Sequence, residues 1–441
     1  MSEEPDKTAQ QKQPRSQQWR WVPSLYFAEG LPYAIVTVVS VVFFKRLGLS
    51  NADATLYTGW LYLPWVIKPL WSPWVDLLRT KRYWILITQF CLGAGFGGVA
   101  LTIPADAFVQ YTLVFFWLIA FCSATHDIAA DGFYMLALSP SNQAWFVGIR
   151  NSFFRAAWVS GQGLLVVVAG LLEQSDALGR SVPLAWSLTF LIASGAFLML
   201  AAYHARALPQ PPADAAQPTR DQSQVVRAVV RTFVSFFRQP HIGYVLAFLL
   251  LFRFAEAQIA RIAAPFLLDA RVDGGLGLST AEVGAATGVT GVLMLLLGGL
   301  LGGFCAARNG LKRWLPWMVA AINVPNIVYV GLAYAQPDSL PIVHLSIAVE
   351  QFGYGFGFTA YLLFMIHVAD GPHKTAHYAI CTGFMALGMM LPGMFSGTVQ
   401  EALGYNSFFI WIMLATIPSF VVAWLVPLDD DFGRKQAEEL S

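Results

Sequence analysis

Long apolar stretches recur along the whole of this 441-residue chain, and they constrain its fold more than any other feature. An α-helix needs about 20 predominantly apolar residues to cross the hydrocarbon core of a bilayer. Twelve stretches reach that length, with approximate limits 21–45, 54–78, 83–103, 107–138, 146–171, 184–206, 241–269, 281–304, 314–335, 341–368, 377–400 and 406–427. The sequence therefore predicts an all-α membrane protein with twelve transmembrane helices in two six-helix halves.

The composition agrees with this prediction and excludes several classes of function. Hydrophobic residues make up 56% of the chain and charged residues only 12%, which is more apolar surface than a soluble fold can bury. Lys and Arg (27) balance Asp and Glu (26), so nucleic acid is not an expected partner. The four cysteines lie in or beside apolar runs without metal-ligand spacing, and we expect neither a cofactor nor a metal site.

Lys and Arg residues in the short loops predict the orientation, because cytoplasmic loops retain positive charge during insertion. Placing the N-terminus inside puts most of these loop residues in the cytoplasm, and both termini are then cytoplasmic. The predicted organisation is a tail (1–20), a first half (21–206), a linker (207–240), a second half (241–427) and a tail (428–441). Within the linker, Arg227, Arg231 and Arg238 share a helical face, which predicts either an interfacial helix or an extension of the seventh span.

An internal repeat relates the two halves at an offset near 230 residues. Phe-Ala-Glu occurs at 27–29 in the first span and at 254–256 in the seventh. Leu-Gly-Leu-Ser precedes the second span at 47–50 and the eighth at 276–279. A parallel repeat of six spans resembles the major facilitator superfamily, whose fold implies a substrate site near the midplane between the halves and rocking of the halves around it.

Ionisable residues within the predicted spans are candidates for the chemistry, because a charge at the bilayer centre costs about 3 kcal/mol on insertion scales. Glu29 precedes Gly30 and Pro32, where the first span can bend, and Glu256 lies one turn from Arg253. We expect these two acids to line a central cavity, with Arg253 and Arg261 meeting an anionic substrate group. The alternative is structural, with Glu256 only neutralising Arg253.

Two acids in the fourth span share one helix face. Asp127 and Asp131 are four residues apart and repel each other unless a cation or proton lies between them. We interpret Asp127 as a transport residue, with proton coupling as one role, and Asp131 as part of a cytoplasmic gate. Cations within reach in the sequence are Lys68, Arg79, Arg82, Arg150 and Arg155, and the predicted gating residues are Asp76, Arg79, Arg82, Asp131 and Arg150.

The tenth span has a polar pair, Glu350 and Gln351, near its middle. This pair either hydrogen-bonds a polar substrate or forms a polar contact between helices. The second span is rich in aromatic residues, which either stack on sugar rings and heterocycles or form a belt at the membrane interface. These residues are Trp60, Tyr62, Trp65, Trp71 and Trp74.

Three sequence motifs resemble a particular branch of the superfamily. They are FAEGLPY at 27–33, LYLPWVIKPLWSPWVD at 61–76 and HDIAADG at 126–132. The branch holds the AmpG-type muropeptide permeases and the acetyl-CoA transporters, and Asp127 and Asp131 match its two aspartates. His126 stands where the branch usually has Gln. The resemblance implies proton-coupled import across a bacterial inner membrane, with anhydromuropeptides as the leading substrate class.

Other functions remain as alternatives at this point. Import of siderophores or other bulky anionic solutes fits the same arginines, and a membrane receptor or scaffold is the alternative outside transport. The chain contains neither HExxH nor GxSxG, and we do not expect an enzyme. The expected partners are a small, anionic substrate, protons and the lipid bilayer, and the expected oligomeric state is a monomer.

Overall fold

The computed structural model describes residues 15–211, 214, 222–370, 374–428 and 432. Most of the two predicted tails and part of the predicted linker lie outside these residues. Regular secondary structure in the described part of the chain is helical throughout. Nine of its segments are long and apolar enough to cross a membrane, and the last of them, Ala376–Leu425, contains two spans separated by a break at Gly404.

Six helices form the first half of the chain. The first four are α1 (Ser16–Arg46), α2 (51–78), α3 (Lys81–Thr102) and α4 (Phe108–Ala137). They are followed by α5 (140–173) and α6 (Val182–Ala207). Their limits agree with the first six predicted spans within a few residues.

The second half begins after a separate amphipathic helix, α7 (Gln222–Phe237). The spans that follow are α8 (Ile242–Leu268), α9 (Thr280–Asn309), α10 (Leu311–Ala335), α11 (Leu340–Val368), α12 (374–403) and α13 (405–425). His241 adopts a left-handed conformation (φ 59°) between α7 and α8, so α7 is not an extension of the seventh span. Location of α7 in the membrane interface stays a prediction.

Breaks interrupt α2 and α8, where the sequence predicts continuous helices. The segments of α2 are Asn51–Trp60 and Leu63–Leu78. Pro64 lacks a backbone N–H and cannot continue the hydrogen-bond ladder of the first segment, which explains the break. In α8 the segments are Ile242–Leu251 and Phe254–Leu268, and Arg253 has a non-helical conformation (φ −106°, ψ 19°).

Each half has its own aromatic core. In the first half, the rings of Phe43, Phe116, Trp186 and Phe190 pack edge to face or tilted, with centroids 5.2–5.9 Å apart. In the second half, Phe248 lies between Phe252 and Phe364, at 4.6 and 4.2 Å. These rings stabilise the packing within each bundle, while the buried cluster around Phe43 and Phe190 continues into the second half through Phe266 and Phe409.

The halves meet mainly through two helix pairs, α2 with α12 and α5 with α9. Glycine residues at the contact points allow the backbones of each helix pair to approach closely. A Cβ on Gly397 would lie 2.0 Å from the carbonyl oxygen of Asn51, and one on Gly288 would lie 2.1 Å from the Cα of Gly163. The backbones of the two halves are therefore in direct contact at these points.

A valine at Gly288 is expected to destabilise the protein, because its side chain cannot fit against Gly163. Overpacking of this kind costs about 1–3 kcal/mol. Thermal unfolding of the purified protein should give a lower Tm for Gly288→Val than for Gly303→Val, where a Cβ would meet nothing within 4 Å. Equal Tm values for the two variants would contradict the close packing of α5 on α9.

Candidate functional site

A cavity of about 1020 Å³ lies between the two halves. At one end, the cavity wall includes Arg79 and Thr80 in the loop after α2, on the face where the helical region begins and ends. From there the cavity extends to mid-span residues such as Thr37 and Ala263. The predicted residues on its wall are Glu29, Arg79, Asp127, Asp131, Arg150, Arg253, Glu256, Arg261, Glu350 and Gln351. The structure therefore brings most of the predicted residues to one space.

Two ion pairs neutralise the aspartates of α4. Lys68 of α2 contacts Asp127 directly. Arg150 of α5 donates to Asp131 at 3.0 Å, and the Tyr26 hydroxyl donates to the same oxygen at 3.1 Å. The cations that the repulsion between the two acids requires are thus Lys68 and Arg150.

Glu29 lies beside this group and forms no ion pair with a described residue. Its side chain is buried, and its carboxyl group is within hydrogen-bonding reach of Asp127. Its second oxygen, Oε2, has no hydrogen-bond partner in the described part of the chain. Two carboxylates this close repel each other, and a shared proton removes the repulsion.

The corresponding acid of the second half is neutralised within its own helix. Arg253 contacts Glu256 through Nη2 at 2.8 Å and Nε at 2.9 Å, so the pairing predicted from their spacing is confirmed. Arg253 also donates to the Tyr354 hydroxyl at 2.6 Å and lies over the Phe358 ring at 4.7 Å. This arginine is therefore held on several sides.

Glu350 and Gln351 are neighbours on the cavity wall. Gln351 donates to Glu350 Oε2 at 2.9 Å, and Tyr329 approaches the same atom at 3.5 Å. Tyr329 belongs to α10 and Glu350 to α11, so the second contact joins two helices. Both of the predicted roles, a polar contact between helices and a substrate contact, remain compatible with this position.

Arg155 and Arg261 on the cavity wall have no carboxylate within ion-pair distance among the described residues. Arg261 donates to the Thr37 carbonyl at 3.0 Å and to the Thr58 hydroxyl at 3.0 Å, and its guanidinium lies 4.8 Å from the Tyr62 ring centroid. Arg155 lines the same cavity as Tyr33 and Tyr354. Positive charge is therefore available to a ligand in the cavity.

The face opposite the termini is closed by polar contacts that the sequence reasoning missed. At the start of α2, the Asn51 amide donates to Gln400 at 2.6 Å, joining the two halves. Asp269, at the end of α8, accepts from Tyr405 at 2.6 Å and pairs with Lys45 of α1 at 2.7 Å. We call these five residues the first lock.

A second lock lies at the corresponding position between α5 and α9. Glu173 of α5 accepts from Arg46 at 2.9 Å, from Trp186 at 2.9 Å and from Thr280 of α9 at 2.8 Å. The signal in the sequence was weak, because polar residues at span ends are also normal helix caps and loop residues. The four-residue motifs at 47–50 and 276–279, which lead into Asn51 and Thr280, were the available clue.

The predicted gating residues make contacts within the first half. Arg150 and Asp131 pair with each other, Arg82 donates to the Ala205 carbonyl, and Arg79 lies over the Tyr83 ring. Asp76 lies in α2, but its side chain is outside the described part of the structure. Their action as a gate stays a prediction.

The fold and the cavity between two similar bundles define a transporter of the alternating-access type. The family model of the Major Facilitator Superfamily matches residues 24–378. The chain therefore belongs to the Major Facilitator Superfamily and is a secondary transporter of small molecules in a membrane, not an enzyme.

Relatives of known sequence cover most of the chain. An uncharacterized protein of Haemophilus influenzae is 25% identical over 92% of this chain and 94% of its own length. A putative transporter AmpG 4 of Rickettsia conorii is 21% identical over 91% of this chain and 94% of its own. The anhydromuropeptide permease of Escherichia coli K12 is 23% identical over 90% of this chain and 77% of its own. These similarities agree with the branch indicated by the three motifs.

Solved structures share the fold. A D-xylose-proton symporter superposes with a TM-score of 0.68 at 12% identity, covering 96% of this chain and 99% of its own. A bacterial homologue of the human lysosomal transporter Spinster, in an inward-facing and unoccupied conformation, gives 0.67 at 16% identity, covering 93% and 96%. The architecture of two six-helix halves is thereby confirmed.

Loss of the second lock should open the face opposite the termini more often. We expect Glu173→Ala to increase, several-fold, the rate at which a membrane-impermeant maleimide added on that face labels a cysteine at the cavity residue Ala263. The measurement uses a background without the four native cysteines. Asp338→Ala, which removes an exposed ion pair with Arg271 on the same face, is the control. Identical labelling rates in the two variants would refute the proposal that the second lock keeps this face closed.

Proposed function

We propose that the protein is a proton-coupled importer of anhydromuropeptides in the bacterial inner membrane, and that it works by alternating access. One observation carries the proposal. The cavity between the halves combines a carboxyl pair that can share a proton, Glu29 and Asp127, with arginines that have no carboxylate partner among the described residues, Arg155 and Arg261. Proton binding and anion binding thus have separate groups in one space.

The substrate class is supported by the relatives and by the size of the cavity. Two of the similar proteins are named for AmpG or for anhydromuropeptide transport. A cavity of about 1020 Å³ is at the upper end of the range for small-molecule sites, about 300–1,000 Å³, and suits a ligand larger than one sugar. The anhydromuropeptides are such ligands, and their peptide carboxylates match the unpaired arginines.

Coupling follows from the contacts around Asp127. While Asp127 is ionised, it holds Lys68 in an ion pair between α4 and α2. A proton arriving at the Glu29–Asp127 pair weakens that ion pair and frees the charge of Lys68 for an anionic ligand. Because the effect is reciprocal, bound substrate also favours the protonated form, and the two solutes move together.

Alternating access uses different contacts on the two faces. In the conformation described, both locks are closed and the cavity extends to the loop after α2. When the locks open, the loop-side residues Asp76, Arg79, Arg82, Asp131 and Arg150 close the other face. Arg150 and Asp131 are paired already, so the change needs new partners from the second half.

We also propose that both termini are cytoplasmic and that the transporter acts as a monomer. A C-terminal fusion to green fluorescent protein should fluoresce in cells, because this protein folds in the cytoplasm, whereas a C-terminal alkaline phosphatase fusion should be inactive. The opposite pair of results would reverse the orientation and with it the assignment of the open face.

The Asp127→Asn variant should lose accumulation driven by a proton gradient. Asparagine keeps the size of the side chain but cannot alternate between charged and protonated forms. Proteoliposomes with an inward proton gradient should take up labelled anhydromuropeptide at least about tenfold less with this variant than with the parent. Glu29→Gln should act in the same direction.

A matched control separates charge removal in general from loss of coupling. Asp176→Asn removes an exposed ion pair with Arg180 on the opposite face and should transport like the parent. Equal gradient-driven uptake by the parent and Asp127→Asn would refute the coupling role. If folded parent protein takes up a ferric siderophore but no anhydromuropeptide, the proposed substrate is wrong and the assignment as a transporter stands.

A further inference from the structure

The aromatic side chains on the first-half wall of the cavity form a continuous cluster. The Tyr33 ring lies in the centre, 4.9 Å from Trp65, 5.8 Å from Trp158 and 6.4 Å from Tyr62. All four side chains line the cavity, and they come from α1, α2 and α5. Trp65 and Tyr62 are therefore not in a membrane belt, which was the alternative for the aromatic residues of the second span.

Trp158 contributes an unsatisfied hydrogen-bond donor to this cluster. The indole Nε1 of Trp158 is buried and has no partner among the described residues. A buried N–H without an acceptor costs about 1–3 kcal/mol, and native structures rarely leave one. Trp158 lines the cavity while its Nε1 atom is covered, so a ligand in the cavity meets the indole ring rather than this N–H.

The unpaired arginines border the same cluster. Arg155 precedes Trp158 by three residues on α5 and so lies on the same side of that helix. Arg261 reaches over the Tyr62 ring from the second half, at 4.8 Å. Guanidinium groups bind carboxylates through paired N–H donors, and these two have no carboxylate to bind in the described part of the chain.

We propose that Arg155, Arg261, Tyr33, Trp65 and Trp158 form one composite subsite, in which the aromatic rings hold a sugar and the arginines hold a carboxylate of the same ligand. The ligand class is a glycan-linked acid. The proposal rests on the proposed function and adds to it which residues recognise which part of the substrate. Arg253 is outside the subsite, because Glu256 already neutralises it.

Geometry explains why a glycan-linked acid fits better than either part alone. The C–H groups of a sugar pack on aromatic rings such as those of Tyr33, Trp65 and Trp158. Because Arg261 lies 4.8 Å from the Tyr62 ring, a carboxylate on the part of the ligand that is linked to the sugar can meet a guanidinium beside the aromatic rings. A neutral sugar leaves both arginines unpaired, and an acidic peptide without a sugar leaves the aromatic cluster empty.

The test measures binding to the full-length protein in nanodiscs by tryptophan fluorescence. The probes are an anhydromuropeptide with free carboxylates and the same compound with every carboxylate amidated. For the parent, we expect Kd for the free acid to be at least tenfold lower than Kd for the amide. Arg155→Gln should raise Kd for the free acid about tenfold or more and change Kd for the amide less than twofold, while Arg155→Lys retains part of the affinity.

The aromatic part of the subsite has its own variant. Tyr33→Leu removes the central ring and should raise Kd for the acid and the amide by similar factors. Arg180→Gln, at an exposed ion pair on the opposite face, is the control and should match the parent with both probes. Equal affinity of the parent for acid and amide would overturn the proposal without requiring any variant to fold.

Failure of the subsite and failure of the proposed function give different results. If the parent and Arg155→Gln bind the free acid equally well, the subsite is wrong while anhydromuropeptide remains the substrate. If the parent does not bind anhydromuropeptide, the probes become a glucuronic-acid disaccharide and its amide. If the parent then prefers the acid and Arg155→Gln abolishes that preference, the subsite is supported and anhydromuropeptide is refuted as the substrate. If the parent binds acid and amide equally, or binds neither, both the subsite and the proposed substrate are refuted.

Discussion

The cost of charge in the hydrocarbon region is the constraint on which this structure depends. A charged side chain at the bilayer centre costs about 2.5–3.5 kcal/mol on insertion scales, so each needs compensation. Lys68 and Asp127, Arg150 and Asp131, and Arg253 and Glu256 compensate one another, and every pair lies within one half. The halves can therefore move relative to each other without exposing these charges to lipid or breaking the pairs.

Contacts between the halves follow a different principle, because they must break and form again. Near Gly288 and Gly397 the backbones touch directly, so shape rather than charge brings the helices together. Polar contacts are added at the ends of the spans, where Asn51 and Glu173 are close to water when the halves separate, and deeper between the halves, where Arg261 donates to Thr37 and Thr58. Such contacts lose little when they open, since water replaces each lost hydrogen bond.

The fold was predictable from apolar length and from the repeat, since both are local properties of the sequence. Pairs on one helix, such as Arg253 and Glu256, were also predictable from spacing. The lock between Asn51 and Gln400 was not, because only the packing of α2 on α12 brings residues 349 positions apart together. Pro64 signalled the break in α2, but the apolar length of the stretch favoured the prediction of one continuous helix. The aromatic cluster around Tyr33 was not predictable either, because it forms only when α1, α2 and α5 pack together.

The repeat also explains why the two halves have different chemistry at equivalent positions. Glu29 and Glu256 occupy the same place in their Phe-Ala-Glu motifs, and the residue three positions before each is Tyr26 or Arg253. Arginine at this position neutralises Glu256 within its own helix. Tyrosine cannot neutralise Glu29 and donates to Asp131 instead, which leaves Glu29 facing Asp127. A single difference between the repeats therefore fixes the acid of the second half in an ion pair and leaves the acid of the first half beside a second carboxyl group, which favours the first half as the site of the proposed proton.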